Sequence, residues 1–377
     1  MRKFTFLLAL LLSFVGVASA QEASGTYDDP TTAPGVTPAL STADGTQFAY
    51  YIRSVKYNHS FLYFPDAAGL TTTVSSATKF SVQKSDAGWV FYLLNDDDTR
   101  KGTKVQAYGP ARVWQTENNS AATYDYSIVA VDGSDVISYY LTTVGRSGKD
   151  LKATAETDTR GFFYGSLDKN DDAFKWQLIP ANDAAKKAAA LTINVAAGDD
   201  VHGNLATFSA SYPVAKPEGY TAYAATYSDG ALNMTEIEGD VIPGNTGVIL
   251  KGEVNASLSM QPSLTVPTTV TSALTATNET EKVVAEGDNV YGLGAKSNVL
   301  ALYKLTAGTI GANKAYYTAE AGTPAIALNF GGDVTGINNA QVTNNVNAPM
   351  FDLSGRRVVK AVKGGLYIQN GKKFIVK

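Results

Sequence analysis

The chain has 377 residues, a formal net charge of −4 and a pI near 5.3, and it contains no cysteine. It can therefore form neither a disulfide nor a thiolate metal site, and a cysteine nucleophile is excluded. Acidic and basic residues are mixed without a basic stripe, so we expect no nucleic-acid partner. The 34 Gly and 21 Tyr, with abundant Thr, Val and Ser, favour strands and turns and predict an all-β fold.

Residues 1–20 have the features of a secretory signal peptide. Two basic residues follow Met1, residues 4–17 are mostly apolar, and Ala18-Ser19-Ala20 supplies the small side chains that signal peptidase requires. We expect cleavage between Ala20 and Gln21 and export of the rest. The apolar run is shorter than the about 20 residues of a bilayer span, and no later segment reaches that length, so no transmembrane segment is expected.

A threefold repeat extends over residues 47–181, after a Pro-, Thr-, Ala- and Gly-rich stretch at 21–46 that is predicted to be a linker. An aromatic-polar-aliphatic triplet recurs in each repeat, and an apolar residue follows a polar turn before it. The triplets are Phe80-Ser81-Val82, Tyr126-Ser127-Ile128 and Trp176-Gln177-Leu178, and the apolar residues are Leu62, Val105 and Leu151. Four short strands per repeat, three times over, predict a β-trefoil whose barrel is filled by the three triplet aromatics.

A second β-region over 191–335 follows a short Ala-Lys-rich helical connector at 182–190. Seven positions of this region recur 68 residues later with similar residue types. The first set is Leu232, Met234, Ile237, Ile242, Asn245, Val248 and Leu250, and the second is Leu300, Leu302, Leu305, Ile310, Asn313, Tyr316 and Thr318. Two hairpins at a constant offset, each with an Asn that tolerates a left-handed turn, predict a β-sandwich-like module.

The last segment, residues 350–377, reads as a small β-module after an Asn-rich linker at 336–349. Three apolar runs are separated by Ser354-Gly355-Arg356-Arg357 and by Gln369-Asn370-Gly371-Lys372. Asn-Gly between apolar runs is a strong hairpin signal because both turn positions tolerate positive φ.

This terminal segment resembles the C-terminal sorting domains of type IX secretion cargo in Bacteroidetes, in which a DLSGRRV string precedes a GLYI string and a short basic-flanked apolar tail. The resemblance implies that the secretion machinery is a partner. It also implies a location outside the cell or on the outer-membrane surface, with the module removed or used for attachment. The residues that the machinery would read are Leu353, Gly355, Arg356, Gly365, Tyr367, Phe374 and Lys377.

The threefold region resembles ricin-B-type lectin domains, on the strings YYIRSVKYNHSFLYF at residues 50–64 and FKWQLIP at residues 174–180. The resemblance implies a β-trefoil and a glycan ligand. These lectins carry a Gln-any-Trp motif in each repeat, whereas this chain has Lys175-Trp176-Gln177 in the third repeat and no tryptophan at the matching place in the other two. The resemblance therefore supports the β-trefoil fold more strongly than it supports a sugar site.

Aromatic side chains on the turns of the trefoil are candidate platforms for stacking on a sugar ring, with nearby carboxylates and amides to bind its hydroxyls. The candidate ligand residues are Tyr57, Tyr63, Asp66, Tyr108, Trp114, Asn118, Phe163, Tyr164 and Asp168. The missing motifs leave an alternative open, in which the protein is a protein-binding, adhesive or structural surface protein with no sugar site.

Catalytic chemistry has little support in the sequence. The two histidines, His59 and His202, fall in different predicted domains, and no Gly-x-Ser-x-Gly motif occurs. We therefore predict a non-enzymatic protein with no metal and no cofactor. Hydrolase activity is left open as an alternative. It would depend on two groups of aspartates, which we interpret as parts of solvated loops. These are Asp96-Asp97-Asp98 in one loop, and Asp168, Asp171 and Asp172 in another.

Overall fold

The chain is an all-β protein, as the composition predicts. The structure is a computed structural model that describes residues 25–64, 69–108, 113–116, 124–144, 150–157, 162–164, 166–331, 350–352, 356–358, 362–363, 366–369 and 372–375. It divides into two compact units, Met1–Phe330 and Gly331–Lys377. Among the described residues, no helix is long and apolar enough to cross a membrane.

Twelve strands form the first part of the larger unit. They are β1 (Tyr50–Ser54), β2 (Phe61–Tyr63), β3 (Gly69–Thr71), β4 (Phe80–Lys84), β5 (Trp89–Leu94), β6 (Arg100–Tyr108), β7 (Val113–Thr116), β8 (Tyr126–Ala130), β9 (Tyr139–Thr143), β10 (Asp150–Lys152), β11 (Phe162–Tyr164) and β12 (Lys175–Pro180). Strands β1, β4, β5, β8, β9 and β12 pair in that order, and β12 returns to β1, so they close a barrel. The other strands form three hairpins, β2–β3, β6–β7 and β10–β11. This topology confirms the predicted β-trefoil.

The core of the trefoil follows the threefold pattern of the sequence. The triplet aromatics Phe80, Tyr126 and Trp176 are fully buried, and each opposes another aromatic residue across a barrel pair. These pairs are Tyr50–Phe80, Trp89–Tyr126 and Tyr139–Trp176. Two of these rings carry a hydrogen-bond donor, and each donates to the equivalent residue of its repeat. The Tyr126 hydroxyl donates to the Val105 carbonyl at 3.3 Å, and Trp176 Nε1 donates to the Leu151 carbonyl at 3.0 Å.

The segment that precedes β1 differs from the loose linker that the sequence predicts over 21–46. Ala33, Val36 and Ala39 are buried against the barrel. The Arg53 guanidinium donates to the carbonyls of Pro30, Thr31 and Ala33, each at 2.8 Å. Small residues allow this close fit, because a Cβ on Gly35 would lie 2.3 Å from the Ile137 carbonyl oxygen. The scarcity of large apolar residues here therefore reflects tight packing.

The helix α1 (Asp183–Ala189) follows the trefoil and begins at Asn182, whose side chain accepts a hydrogen bond from the Ala185 N–H at 3.0 Å. The next strands are β13 (Thr192–Asp199), β14 (Gly203–Phe208), β15 (Val214–Ala215), β16 (Thr221–Ser228), β17 (Ala231–Glu236), β18 (Val241–Ile242), β19 (Val248–Gly252), β20 (Asn255–Ser259), β21 (Thr275–Ala276), β22 (Lys282–Val284), β23 (Val290–Lys296), β24 (Val299–Lys304), β25 (Gly308–Ile310), β26 (Ala315–Thr318) and β27 (Ala327–Asn329). They form a seven-stranded sheet in the order β20-β13-β14-β19-β16-β17-β27 and a four-stranded sheet in the order β21-β26-β23-β24, with the small pairs β15–β18 and β22–β25.

The predicted duplication of this region appears in the pairing. The hairpin β16–β17 pairs with β19 in one sheet, and the hairpin β23–β24 pairs with β26 in the other. The turns before β19 and β26 both contain an Asn in the left-handed conformation, Asn245 with φ 57° and Asn313 with φ 56°. These are the two turn residues that the sequence pattern singles out.

The seven-stranded sheet is buried on both faces. On one face, Leu205 and Ile249 join a core with Tyr291 and Leu302 of the four-stranded sheet. On the other face, Phe208 belongs to the apolar cluster that contains the trefoil core and the alanines of α1. The rings of Phe48 and Tyr212 meet edge to face with centroids 5.0 Å apart. The chain thus changes from the trefoil to the sandwich at the predicted boundary, 182–190, but the two parts share one continuous core.

The smaller unit contains four strands, β28 (Met350–Asp352), β29 (Arg357–Val358), β30 (Leu366–Gln369) and β31 (Lys372–Ile375), in the order β29-β28-β30-β31. Strands β30 and β31 pair with Gln369 opposite Lys372, the register expected of a two-residue Asn-Gly turn. Tyr367 is buried, and its hydroxyl accepts a hydrogen bond from the Val362 N–H at 2.9 Å. The terminal segment is therefore a β-module, as predicted.

Candidate functional site

Five of the predicted ligand residues lie on the three hairpins of the trefoil. Tyr63 ends β2 and is half-buried. Tyr108 and Trp114 lie on the paired strands β6 and β7, and Phe163 and Tyr164 lie on β11. The hairpins of the second and third repeats meet, because Val113 of β7 pairs with Phe162 of β11. The backbone thus brings Trp114 and Phe163 onto neighbouring strands, while Tyr63 belongs to a separate hairpin.

The remaining predicted ligand residues have internal partners or lie outside the described residues. The half-buried Tyr57 packs against the core, and its hydroxyl lies 3.4 Å from the Thr154 carbonyl. Asp168 is exposed and accepts a hydrogen bond from the Asn170 N–H at 3.0 Å, which closes a turn. Asp66 and Asn118 fall outside the described residues.

Three of the predicted sorting residues can be placed. Arg356 is exposed and pairs with Asp352 at 3.3 Å, Tyr367 is buried, and Phe374 lies on β31. The other four, Leu353, Gly355, Gly365 and Lys377, lie outside the described residues.

Of the aspartates that the sequence offers for hydrolysis, all but the exposed Asp96 are engaged in ion pairs and turns. Asp171 pairs with Lys152 at 2.9 Å and Lys56 at 3.2 Å. The hydrogen bond from Lys152 and that from the Ala173 N–H lower the pKa of Asp171 to about 2. Asp172 pairs with Lys175 and Asp98 with Lys79, and Asp97 accepts from Thr99. In the described part of the chain, no three His, Asp or Glu side chains gather to hold a metal ion.

A histidine–aspartate pair that the sequence does not predict lies at the β13–β14 turn. His202 Nδ1 is 2.8 Å from Asp199 Oδ2, and the Leu300 N–H donates to the same oxygen at 2.7 Å. Burial raises the pKa of Asp199, but the N–H groups of Leu300 and His202 and the imidazole outweigh it and lower the pKa to about 2. His202 Nε2 lies 3.2 Å from the Leu328 carbonyl. In a Ser-His-Asp triad this nitrogen faces the nucleophile, whereas here it faces the backbone. The pair therefore connects β13, which carries Asp199, with β24 at Leu300 and β27 at Leu328.

The three repeats differ at one equivalent position of the barrel wall, opposite the polar centre of each triplet. The pairs are Arg53 with Gln177, Tyr92 with Ser81, and Thr142 with Ser127. Arg53 is buried and holds the N-terminal segment, as described above. Thr142 donates to the buried carboxylate of Asp150 at 2.5 Å, and burial raises the pKa of Asp150. At this position the second repeat instead has the half-buried ring of Tyr92.

Two cations lie against the Tyr92 ring. The Arg100 guanidinium carbon is 3.6 Å from the ring centroid, and Lys104 Nζ is 5.7 Å from it. Lys104 Nζ is also 5.2 Å from the ring of Tyr124. Lys104 directly opposes Tyr92 in the β5–β6 register, which explains why they meet. Such cation–π contacts contribute about 0.5–1 kcal/mol at exposed sites, and they orient the guanidinium parallel to a flat surface.

Several buried polar atoms of the described residues have no hydrogen-bond partner. They include Ser81 Oγ, opposite Tyr92, Gln83 Nε2, opposite Val90 on the same pair of strands, and Arg100 Nε. Ser81 is fully buried and Gln83 is 9% exposed. A buried polar atom without a partner costs about 1–3 kcal/mol, so three in one neighbourhood indicate a place where a ligand or water supplies the missing bonds. We call Ser81, Gln83, Tyr92, Arg100 and Lys104 the repeat-two patch, and it is the candidate binding site.

The sequence does not single out this patch, because the aromatic residues that it offers as ligands lie on predicted turns. Tyr92 lies within a predicted strand, and strand residues read as core. The signal that could have found Tyr92 is the alternation of side chains along a strand. Phe91 of β5 is buried, so the next residue, Tyr92, faces the other side of the barrel wall.

No protein-family model matches this chain, and no curated protein matches it. Among solved structures, the chain is similar to one described as a lysenin pore, with a TM-score of 0.26 and 14% identity over 40% of this chain and 50% of that one. It is also similar to a mosquitocidal holotoxin, with a TM-score of 0.30 and 8% identity over 75% of this chain and 34% of that one. The chain thus spans half of the first protein and a third of the second, and at these TM-scores neither likeness carries an argument about function. The fold and the site define an all-β protein with a β-trefoil barrel and an aromatic, cationic surface patch.

Proposed function

We propose that this is a secreted or cell-surface glycan-binding protein, without enzymatic activity, that binds sugar through its trefoil. The observation that carries the proposal is the repeat-two patch. It combines a half-buried aromatic ring, a guanidinium that lies on that ring at 3.6 Å, and an amide and a hydroxyl without partners on the paired strand. Rings that stack on the apolar face of a pyranose and polar groups that bind its hydroxyls are the components of a sugar site.

A glycan array tests this function directly. The probe is the chain without its predicted signal peptide, residues 21–377, because the trefoil shares its core with the sandwich. We expect binding to a defined set of glycans, and a loss of affinity of about two- to fivefold in Tyr92→Ala, because the substitution removes the ring that orients the Arg100 guanidinium, a contact of about 0.5–1 kcal/mol at exposed sites.

The matched control is Tyr227→Ala, which removes a 41% exposed tyrosine from the sandwich. We expect it to bind like the parent. An array that stays blank at high protein concentration contradicts the proposal, as does equal binding by the parent and a folded Tyr92→Ala protein.

Export and sorting belong to the same proposal, and they rest on the sequence of the two termini. Deleting residues 350–377 is expected to leave the protein in the periplasm, because these residues resemble the sorting signal. The deletion spares the larger unit, since Gly331–Lys377 forms a compact unit of its own. Cell fractionation and surface labelling measure the outcome. Unchanged surface delivery of the truncated protein would contradict the sorting role, and Lys363→Ala, an exposed change in the same module, serves as the control.

A protein-binding role is the second candidate, and one surface feature favours it. Val129, Val136 and Ile137 of the β8–β9 hairpin are 51%, 43% and 47% exposed, so an apolar tip faces solvent. Binding to a host or community protein that free sugars do not compete, and that Val129→Asp abolishes, would support this role over the first.

A further inference from the structure

The donors of the repeat-two patch point to one class of glycan. We infer that the ligand carries an anionic group, a carboxylate or a sulfate, and that Arg100 binds it. The inference rests on the proposed glycan-binding function and narrows its ligand. Carboxylates and sulfates share the acceptor oxygens that a guanidinium binds, and matched glycans distinguish the two.

Two of the three unpartnered atoms of the patch can only donate hydrogen bonds. These are Arg100 Nε and Gln83 Nε2, whereas Ser81 Oγ can donate one hydrogen bond and also accept. Neutral sugars present hydroxyl groups, which require acceptors as well as donors. A cluster in which donors predominate matches an oxyanion, whose oxygens only accept.

The position of the guanidinium also favours an anionic ligand. Arg100 lies on the Tyr92 ring, and its Nη1 makes one long hydrogen bond, 3.5 Å, to the Ala43 carbonyl. The described residues contain no ion pair to Arg100. A guanidinium that is oriented by a ring needs little further ordering to form the two parallel bonds by which arginine binds carboxylate and sulfate.

The charges around the patch place the preference for an anion on Arg100. Arg100 and Lys104 contact the ring, and Lys101 is exposed beside them. The neighbouring turn contributes three aspartates: Asp98 pairs with Lys79 at 2.6 Å, Asp96 is exposed, and Asp97 accepts from the Thr99 N–H and hydroxyl, which does not cancel its charge. The attraction for an anion therefore depends on Arg100, which lies on the ring, and not on a local excess of positive charge.

The test measures affinity for matched glycans with residues 21–377. One set pairs a sulfated saccharide with its desulfated form, and the other pairs a uronic-acid saccharide with its carboxyl-reduced form. We expect the anionic member of at least one pair to bind about tenfold or more tightly, in line with a charge-assisted bond, and to weaken as salt rises. The pair that shows the preference identifies the anion.

Two substitutions locate the effect. Arg100→Met is expected to abolish the preference, and Arg100→Lys to restore little of it, because an ammonium cannot form the paired bonds. The control Lys101→Met changes the net charge equally and is expected to keep the preference. Thermal unfolding of each variant confirms that it is folded.

Two results would overturn the inference. Neutral glycans that bind as tightly as anionic ones, with no effect of Arg100→Met in a folded protein, refute the anionic ligand and leave glycan binding intact. Equal losses in Arg100→Met and Lys101→Met show diffuse charge attraction in place of a site. Absence of binding to every glycan removes the proposed function together with the inference.

Discussion

Replacing Trp176 by alanine is expected to lower the free energy of unfolding by about 3–5 kcal/mol, the usual range for deleting a large buried aromatic side chain. Trp176 is fully buried in the trefoil core, opposite Tyr139, and its indole N–H bonds to the Leu151 carbonyl. The substitution leaves a cavity and an unsatisfied carbonyl. Urea unfolding followed by far-UV circular dichroism measures the loss.

The control is Val129→Ala on β8, whose side chain is 51% exposed, with an expected change within about 0.5 kcal/mol. Trp176→Phe separates the two contributions, because it keeps most of the ring volume and removes the donor. A loss below about 1 kcal/mol in Trp176→Ala would show that the three triplet rings do not form one closely packed core.

The second large effect is expected at Asp199, where removal of the carboxylate by Asp199→Ala should cost about 3–5 kcal/mol. The carboxylate is buried, bonds to the Leu300 N–H and pairs with His202. Its loss leaves the imidazole and a buried N–H without their acceptor. Urea unfolding at pH 7 measures the change, and the neighbouring exposed Asp200→Ala serves as the control, with little expected effect.

The acid dependence of stability follows from the same carboxylate. The pKa of Asp199 is about 2 in the folded chain, below its ordinary value of 3.8. The folded state therefore binds fewer protons than the unfolded state between these values, and the stabilisation is complete above about pH 4 and falls as the pH drops towards 2. Asp199→Ala is expected to reduce the pH dependence in this window. An unchanged slope would mean that the ionised Asp199 does not stabilise the fold.

The three repeats of the trefoil are alike in the barrel core and differ on the outer wall of the barrel. They share the buried aromatic pairs, because each repeat must fill one third of the same barrel. They differ on the outer wall, where Arg53 holds the N-terminal segment, Thr142 binds Asp150, and Tyr92 lies beneath Arg100. The repeat-two patch is therefore a feature of one repeat and has no counterpart at the same position in the other two.

Local patterns in the sequence were enough to predict much of the fold. The triplet aromatics and the residues Leu62, Val105 and Leu151 are all fully buried, because alternation within a strand fixes which side chains face the core. Asn245 and Asn313 adopt the left-handed turns that their residue type favours. The Asn182 cap likewise begins the predicted connector helix.

The candidate site was harder to predict, because its contacts join distant parts of the chain. The sequence pointed to turn aromatics, of which Tyr57 packs against the core, and to Asp168, whose carboxylate closes a turn. Nothing local to Tyr92 reveals that Ser81 lies opposite it or that Arg100 covers it. Strand register decides the first contact, and the side-chain positions at the start of β6 decide the second.

The sequence by itself determined the class of fold, the threefold barrel core and the duplicated hairpins, since these depend on periodicity and on residues that adopt particular backbone angles. Only the tertiary structure decided that residues 33–41 complete the trefoil and that the barrel and the first sandwich sheet share one core through Phe48 and Tyr212. It also decided that Arg100 lies on the Tyr92 ring at the outer wall of the barrel. The physical reason is that the burial of a small residue or an arginine depends on what the rest of the chain packs around it, which no local pattern records.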